Sequence, residues 1–342
     1  MKLIIDVMSG DKAPLETLLG VCKAQKQDYS DGVEYILVGN ENVIKEVAKE
    51  NKLDISRFDI RHTDSVLTME DDPMSVMRDK KDSSMGLALR LLAAGEGDAM
   101  VSAGNTGALF CGSSLILKRL KGIGRAAIGA ILPLANPVML LDSGASVKVN
   151  EDYMLGFAVM GSIYMKAIYN ISSPRVGLVN NGSEATKGGE LQIAAYEKLS
   201  SSDRINFVGN VEGNQIPLGG CDVAVCDGFV GNIVLKTAEG MGKLISNELK
   251  SMFKQNFVRM LAALLANGGL KAFKKKFDAK EYGGAPILGI SKTVIKAHGS
   301  SDAKAFSNAI RQAINCVKLG VTETIAREAE LLEEKKSEPC EK

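Results

Sequence analysis

The sequence predicts an α/β protein of three layers, in which helices cover both faces of a mostly parallel sheet and Rossmann-like crossovers join the strands. Three observations support this class. Strand and helix patterns alternate over the first 62 residues, several later strands run into loops rich in glycine and asparagine, and 45% of the 342 residues are hydrophobic. That apolar content suffices for a large core, so we expect residues 1–325 to form a single α/β unit.

Each element is predicted from its own pattern. Short apolar runs predict strands over 2–7, 34–38, 58–62, 98–101, 127–132, 138–142, 175–180, 207–208 and 222–227. Apolar residues at spacings of three and four predict helices over 14–26, 43–51, 74–78, 84–94, 108–120, 151–169 and 302–317. Pro14 suits a first helical turn, and Pro133 and Pro137 bound a tight hairpin between the fifth and sixth strands. This order favours parallel strands joined by helical crossovers.

Five predicted strands end in polar, glycine-rich loops, which lie at 102–107, 142–146, 180–188, 209–213 and 227–232. The carboxyl ends of parallel strands share one edge of a sheet, and ligands of open α/β sheets bind along that edge. We therefore expect the five loops to line a single cleft. Phosphate suits such loops, because it needs several N–H donors at close range and accepts a lysine as a point charge.

The turn after the strand at 98–101 is the first predicted phosphate site. Ser102, Asn105 and Thr106 lie where this strand runs into a helix, so free backbone N–H groups and the positive end of the helix dipole should meet there. The alternative is that Asn105 or Thr106 only caps the helix and that the glycines only relieve steric strain. The local sequence leaves both interpretations open.

The loop at 180–188 offers a positive charge. Lys187 lies at a predicted helix start, and Asn180 and Glu184 precede it in the same loop. The alternative is that Lys187 is an ordinary lysine in solvent. The sequence lacks the GxxxxGK[ST] pattern and has no GxGxxG after its first strand, which argues against a kinase and against an ordinary dinucleotide dehydrogenase.

Two later turns supply further polar groups. Asp227, Gly228 and Asn232 open one helix, and His298 lies in a glycine-flanked loop before another. An amide at a helix start can donate to an oxyanion, and a histidine can exchange a proton near neutral pH. The chain's other histidine, His62, is predicted to be structural. The histidines and the six cysteines have no metal-ligand spacing, so neither a metal nor a cofactor is expected.

A helical hairpin is predicted over about 230–277, with a turn at Gly268 and Gly269. Its apolar positions recur every three or four residues, and basic residues surround them. This pattern indicates a surface for an anionic membrane or an acyl-bearing partner, and a buried helix pair or a dimer seam is the alternative. The residues predicted to form this surface are Lys254, Phe257, Leu261, Leu264, Lys271 and Lys274.

Charge and composition limit the location and the partners. The 42 basic and 41 acidic residues nearly balance, which argues against nucleic acid as a partner. The sequence contains no apolar run of membrane-spanning length, no secretion signal before the first strand and no CxxC pattern, so we expect a cytoplasmic protein. Residues 326–342 are mostly charged and are predicted to form a frayed helix and a disordered tail.

Over residues 6–301 the sequence resembles the phosphate acyltransferase family of bacterial phospholipid synthesis. The segments that carry the resemblance are Val101-Ser102-Ala103-Gly104-Asn105-Thr106-Gly107-Ala108, 180–188, 209–213, 227–232, 282–286 and His298-Gly299-Ser300. Three positions depart from the family pattern, since Ser9 and Lys292 replace glycine and Ser146 replaces asparagine. The resemblance implies a fold like those of phosphotransacetylases and isocitrate dehydrogenases, a homodimer, and peripheral attachment to the cytoplasmic face of the cell membrane.

The family makes acyl phosphate from acyl-acyl carrier protein and inorganic phosphate, so the resemblance implies both as partners. We expect phosphate, held near Asn105, Thr106 and Lys187, to attack the acyl thioester without an acyl-enzyme. Asn232 would donate to the oxyanion, and His298 would protonate the departing thiolate or hold the phosphate. Asp227 is the fourth predicted catalytic residue and would orient Lys187 or a loop. The remaining residues of the predicted substrate site are Asp6, Ser102, Asn180, Glu184 and Gly228.

Three other functions remain open from the sequence. A phosphotransacetylase acting on a small acyl-coenzyme A shares the chemistry but gives no reason for the hairpin. A metal-dependent decarboxylating dehydrogenase shares the fold class but should gather several carboxylates around a divalent ion. A membrane scaffold without enzyme activity would leave the five polar loops without a purpose.

Overall fold

The computed structural model describes residues 1–134 and 136–337, apart from the side chains of residues 272, 274–276, 279 and 332–337. It confirms the α/β class. The strands, however, form two mostly parallel sheets, where the sequence predicts one. The first sheet has seven strands in the order β3-β2-β1-β4-β12-β11-β5, and the second has five in the order β6-β7-β10-β8-β9.

The strands are short, as expected for a twisted α/β protein. In chain order they are β1 (Lys2–Asp6), β2 (Glu34–Gly39), β3 (Asp59–His62), β4 (Ala99–Ser102), β5 (Ala127–Ile128), β6 (Ala130–Leu132), β7 (Val138–Leu141), β8 (Arg175–Val179), β9 (Asn206–Val211), β10 (Val223–Val225), β11 (Gly284–Leu288) and β12 (Thr293–Ala297). Three pairings are antiparallel, namely β11 with β12, β11 with β5, and β6 with β7. The β6–β7 pair confirms the predicted hairpin.

The helices cover the faces of both sheets. They are α1 (Leu15–Gln25), α2 (Glu41–Glu50), α3 (Ser84–Ala93), α4 (Thr106–Gly112), α5 (Glu151–Tyr169), α6 (Glu190–Ser200), α7 (Gly228–Lys254), α8 (Phe257–Leu265), α9 (Asn267–Lys276), α10 (Ala303–Lys318) and α11 (Val321–Ser337). A 3-10 turn at Pro73–Met77 lies beside α4, which continues as a π-helical turn at Ser113–Leu117.

The chain passes from one sheet to the other at Gly129. The sequence predicts one strand over 127–132, but in the structure β5 joins the seven-stranded sheet and β6 joins the five-stranded one. A Cβ at Gly129 would lie 2.1 Å from Cε of Met139, so a larger residue here would have to displace the end of that side chain.

The two sheets share one hydrophobic core. Ile5 of β1 and Leu141 of β7 belong to the same cluster of buried side chains, which also contains Phe157 of α5 and Phe306 of α10. Each of these four side chains has no exposed surface. This shared core fixes the carboxyl-end loops of one sheet relative to those of the other.

Helices α7, α8 and α9 form an arm that leaves the core. In α7 only Gly228 and Gly231 are buried, and α8 has no buried residue. The predicted turn at Gly268 and Gly269 is wrong, because both lie inside α9, and the breaks fall at 255–256 and at Ala266. At the first break the side chain of Asn256 caps α8 by accepting a hydrogen bond from the backbone N–H of Arg259 (2.9 Å).

The C-terminal helix continues past residue 326, where the sequence analysis begins its charged tail. Ala329 of α11 is fully buried, and Glu328 accepts a 2.8 Å hydrogen bond from Arg204. These contacts hold the helix on the body as far as the structure describes it, to Ser337. The last five residues lie outside the described part.

Candidate active site

Loops from both sheets form the candidate site. Four of the five predicted loops follow β4, β7, β8 and β10, but the prediction for 209–213 is partly wrong, because β9 extends to Val211. Electrostatic interactions of Lys236 with Lys296 and His298 place α7 beside the loop that follows β12. That all these loops line one cleft stays a prediction.

The turn before α4 is held by the side chain of Asn105. Its Oδ1 accepts a hydrogen bond from the N–H of Ala108 (3.0 Å), and its Nδ2 donates to the carbonyls of Met69 (3.0 Å) and Asp71 (3.2 Å). Asn105 is therefore a helix cap that ties α4 to the preceding loop, and its amide has no donor left for a ligand. Thr106 is exposed, and no contact engages its hydroxyl within the described part of the chain.

Asp6 and Ser102 lie beneath this turn. Both are fully buried, and Ser102 Oγ donates to the Asp6 carboxylate (2.7 Å) and accepts from the N–H of Gly104 (3.1 Å). Burial raises the pKa of Asp6, while the nearby hydroxyls of Ser9 and Ser102 oppose the shift. These two predicted substrate-binding residues therefore support the turn through hydrogen bonds inside the protein. Their side chains are not exposed to a ligand.

The loop after β8 presents Lys187. Asn180 Nδ2 donates to the Lys187 carbonyl (3.0 Å), and the Lys187 N–H donates to the Glu184 carbonyl (3.1 Å). Asn210 Nδ2 also donates to the Glu184 carbonyl (2.8 Å). Asn180 thus holds the loop through its amide, whereas the exposed ammonium of Lys187 has no hydrogen-bond partner within the described residues. The carboxylate of Glu184 is likewise exposed.

The start of α7 is fixed by its own cap and by the loop after β7. Asp227 Oδ1 accepts hydrogen bonds from the N–H groups of Phe229 and Val230, each at 2.9 Å. The N–H of Gly228 donates to the Ser146 carbonyl (2.8 Å). Asp227 and Gly228 are therefore structural at these atoms, and they present Asn232, one turn further along, as an exposed amide.

Asp142 organises the loop that receives α7. Its fully buried carboxylate accepts hydrogen bonds from the backbone N–H groups of Ile128, Gly144, Ala145 and Ser146, at 2.7 to 3.2 Å. Burial raises the pKa of Asp142 although these N–H groups oppose the shift. This loop contains the family departure Ser146, whose hydroxyl accepts a 2.8 Å hydrogen bond from Nε of Arg125.

His298 lies in the loop after β12. Its Nδ1 accepts a hydrogen bond from the N–H of Ser300 (3.2 Å) and lies 2.9 Å from the Ser300 hydroxyl. A neutral imidazole with Nδ1 as acceptor carries its proton on Nε2, which is then a donor. Loss of water around the ring, together with Lys236, lowers the pKa of His298, while Glu239 opposes the shift. The neutral ring is therefore the form present at neutral pH.

Comparisons with known proteins match this chain over nearly its whole length. The family described as fatty acid synthesis protein matches residues 1–324. The chain is 47% identical over 332 residues to a phosphate acyltransferase of Caldanaerobacter subterraneus subsp. tengcongensis, covering 97% of this chain and 98% of that one. It is 46% identical over 331 residues to a phosphate acyltransferase of Thermoanaerobacter pseudethanolicus, covering 96% and 98%.

The chain belongs to the phosphate acyltransferase family. This phosphate acyltransferase also shares its fold with solved phosphotransacetylases. The EutD phosphotransacetylase from Staphylococcus aureus matches with a TM-score of 0.60 at 13% identity, over 93% of this chain and 94% of that one. A phosphotransacetylase from Streptococcus pyogenes matches with a TM-score of 0.60 at 16% identity, over 96% and 94%.

Sequence reasoning missed several charged residues that lie near the His298 loop. Asp11 donates its N–H to the Gly299 carbonyl (2.9 Å), which ties the first loop to the His298 loop. Lys236 on α7 is held by Glu239 (2.9 Å) and faces His298. Lys236 follows Asn232 by one helical turn, so both lie on the same face of α7. This spacing could have predicted that Lys236 lies near the site. The sequence around Lys296 does not indicate that it lies near the site, because its position depends on the pairing of β12 with β4.

The predicted arm residues lie apart from the cleft. Helix α7 has 27 residues and is therefore about 40 Å long, so its far end is remote from Asn232. Phe257, Leu261 and Leu264 are 78%, 49% and 68% exposed. Lys254 and Lys271 are also exposed, and the Lys274 side chain lies outside the described residues. No described helix of the acyltransferase is long and apolar enough to cross a membrane.

The contact of α7 with the Asp142 loop leads to a first prediction. A Cβ at Gly231 would lie 1.9 Å from the Asp142 carbonyl oxygen, so Gly231→Ala must displace the start of α7 and is expected to lower the free energy of unfolding by about 1–3 kcal/mol. Acyl transfer should fall with it, because Asn232 moves. Denaturant unfolding and the transfer assay measure the two effects.

The matched control is Gly240→Ala in the same helix, where a Cβ would meet no atom within 4 Å. Alanine is the better helix former, so this variant should keep its activity and be as stable as the wild type or slightly more so. Equal stability of the two variants would show that the α7 start tolerates a side chain.

Proposed function

We propose that this acyltransferase moves a long-chain acyl group from acyl carrier protein to inorganic phosphate, giving acyl phosphate for phospholipid synthesis. The observation that carries the proposal is a pair of polar groups, one at a carboxyl-end loop of each sheet, that have no hydrogen-bond partner within the described residues. These are the ammonium of Lys187 on the five-stranded side and Nε2 of His298 on the seven-stranded side. A tetrahedral dianion can accept from both donors, and the curated relatives are phosphate acyltransferases by name.

The proposed reaction is a direct transfer. A phosphate oxygen held between Lys187 and His298 attacks the thioester carbonyl, and Asn232 donates a hydrogen bond to the oxyanion. The carbon–sulfur bond then breaks, and the pantetheine thiolate takes the proton that the phosphate hydroxyl loses. His298 acts as a neutral donor to phosphate, because its lowered pKa leaves little imidazolium to protonate a thiolate. Positioning and charge account for the catalysis, without an acyl-enzyme.

The turn before α4 has a narrower role than the sequence suggests. The Asn105 amide is consumed as a cap, so we assign any phosphate contact at this turn to Thr106 and to backbone N–H groups. Asp227 and Asn180 serve the site by fixing the loops that carry Asn232 and Lys187. Glu184 and Gly228 contribute through their backbone groups.

The arm supports a peripheral attachment to the cytoplasmic face of an anionic membrane. Its exposed apolar side chains, with lysines beside them, fit a lipid surface better than water. Acyl phosphate carries a long chain, so release next to a membrane keeps it out of water. A homodimer would cover Ile233, Leu244 and Ile245, which are about half exposed on α7.

Incubation with long-chain acyl-acyl carrier protein and labelled phosphate tests the function. Labelled acyl phosphate is the expected product. The same assay with acetyl-coenzyme A distinguishes the phosphotransacetylase alternative, because a faster reaction with that substrate would contradict the proposal. Absence of labelled product with either acyl donor would favour a non-enzymatic role.

Lys187→Ala is expected to raise the KM for phosphate and to lower kcat/KM roughly 10- to 100-fold, because a charged hydrogen bond contributes about 1.5–3 kcal/mol. The KM for the acyl donor should change little. The control is Lys23→Ala, which removes an exposed lysine from α1 on the body. An unchanged phosphate KM in Lys187→Ala would remove Lys187 from the site.

A further inference from the structure

Three buried polar residues lie side by side near the carboxyl ends of adjacent strands in the seven-stranded sheet. Asp6 of β1 is in register with Ser102 of β4, and Ser102 is in register with Lys296 of β12. Residues in register on parallel strands point to the same face. Asp6 and Ser102 are fully buried, and Lys296 is only 8% exposed. A buried lysine is rare and costs stability unless its charge has partners, so its presence needs a reason.

The ammonium of Lys296 joins two loops of the cleft. Its Nζ donates to the carbonyl of Ala103 (3.3 Å) and to that of Ala297. Ala103 leads into the turn before α4, and Ala297 directly precedes His298. One side chain thus links the turn that carries Thr106 to the loop that carries His298. An ammonium has three N–H donors, and the third has no partner within the described residues.

Charged groups from three neighbouring segments face Lys296. They are Asp6 of β1, Asp11 of the loop after β1, and Lys236 of α7, with His298 following in its own loop. Burial lowers the pKa of Lys296 to about 8, while the carboxylates of Asp11 and Asp6 oppose the shift and Lys236 adds to it. A dianion bound in the cleft would add negative charge and favour the ammonium form.

We propose that Lys296 is the positioning residue of the phosphate site: its buried ammonium sets the spacing between the turn before α4 and the His298 loop, and its charge is coupled to bound phosphate. The inference rests on the proposed function for the identity of the ligand. Coupling means that phosphate binding and protonation of Lys296 promote each other. The affinity for phosphate should therefore be higher below about pH 8 than above it. Phosphate binding near this pH should be accompanied by proton uptake at Lys296.

The test measures binding of inorganic phosphate by calorimetry at pH 8, in two buffers of different ionisation enthalpy. The difference in heat gives the number of protons taken up. Lys296→Met keeps the length of the side chain and removes the charge and the donors. We expect at least a tenfold higher Kd for phosphate and a smaller proton uptake than in the wild type. Subtracting the proton uptake of Lys296→Met from that of the wild type removes the contribution of phosphate's own ionisation.

Lys296→Arg separates charge from titration and serves as the rescue variant. Arginine stays protonated throughout this range, so this variant should bind phosphate more tightly than Lys296→Met but show the same reduced proton uptake. The control is Lys292→Met, just before β12, which should match the wild type in both measurements. Thermal unfolding reports on folding. Lys296→Met no longer buries a charge but leaves the carbonyls of Ala103 and Ala297 without this donor, so the two effects oppose each other and the Tm should stay close to that of the wild type at pH 7.

The pH profile gives a second readout. The charged form is required, so kcat/KM for phosphate in the wild type should fall as the pH rises through about 8, and this fall should be absent in Lys296→Arg. Wild-type phosphate affinity and proton uptake in Lys296→Met would overturn the inference. A wild-type protein that binds phosphate with this coupling but transfers no acyl group to it would contradict only the proposed function.

Discussion

Replacing His298 by alanine is expected to lower the turnover number roughly 100-fold or more, because the phosphate loses the donor that aligns it for attack. The side chain is exposed on the cleft, so its removal leaves no cavity in the core and the variant should fold normally. Steady-state kinetics with saturating phosphate and acyl donor measure the loss. The KM for phosphate should rise less than kcat falls.

The chain's second histidine provides the control. His62 is also exposed and accepts a hydrogen bond from the N–H of Glu41 (3.2 Å) at the start of α2. His62→Ala should therefore keep the wild-type turnover number. Equal turnover in the two variants and the wild type would remove His298 from the mechanism.

The pH dependence of the same reaction follows from the loop geometry. Protonation of His298 at Nδ1 would place that N–H against the N–H of Ser300, which now donates to Nδ1. The loop must then rearrange, so the neutral ring is the active form. The rate is expressed as kcat/KM for the phosphate dianion alone, so that phosphate's own ionisation near neutral pH does not contribute. Because the pKa of His298 is lowered, this kcat/KM should stay constant through the ordinary histidine range and decline only at lower pH. A decline that begins above pH 6.5 would contradict this assignment.

The local elements could be predicted because short-range patterns determine them. Helix α5 begins and ends where its apolar spacing predicts, at Glu151 and Tyr169. The Asn105 turn shows the limit of such reasoning. An asparagine before a helix serves equally as a cap or as a ligand donor, and only the carbonyls of Met69 and Asp71 decide for the cap. Those partners come from a loop more than 30 residues earlier.

The candidate site depends even more on long-range pairing. Lys296 is buried because β12 inserts beside β4, about 190 residues earlier in the chain, in a register that aligns it with Ser102. Periodicity cannot reveal that register, and Lys296 alone looks like a polar residue at a strand end. The division into two sheets is also hidden in the sequence, because the apolar run over 127–132 shows no break at Gly129, where the structure separates β5 from β6. The family resemblance supplied the overall fold but not these contacts.

The exposed leucines of the arm are expected to contribute strongly to membrane binding. Replacing Leu261 and Leu264 together by glutamate should release the protein from vesicles that contain anionic lipid. Leu261 and Leu264 are 49% and 68% exposed, so each can transfer about half or more of its apolar surface into the lipid, a gain of about 1–2 kcal/mol per side chain. Loss of both should weaken binding by roughly 100-fold or more, and the added negative charges repel the surface further. Sedimentation with vesicles of stated anionic content measures the binding.

Soluble transfer activity should survive the double substitution, because Asn232 lies near the start of α7, whereas Leu261 and Leu264 lie in α8, beyond the far end of that helix of about 40 Å. Leu319→Glu, which alters a 52% exposed leucine at the end of α10, should leave vesicle binding unchanged. Undiminished vesicle binding by the double variant, together with conversion of a dimer to a monomer in light scattering, would instead make this surface a seam between two copies. If the double variant lost activity with short, soluble acyl donors, the arm would have to contact a cleft during the reaction. This outcome would contradict the separate role that the prediction gives to the arm.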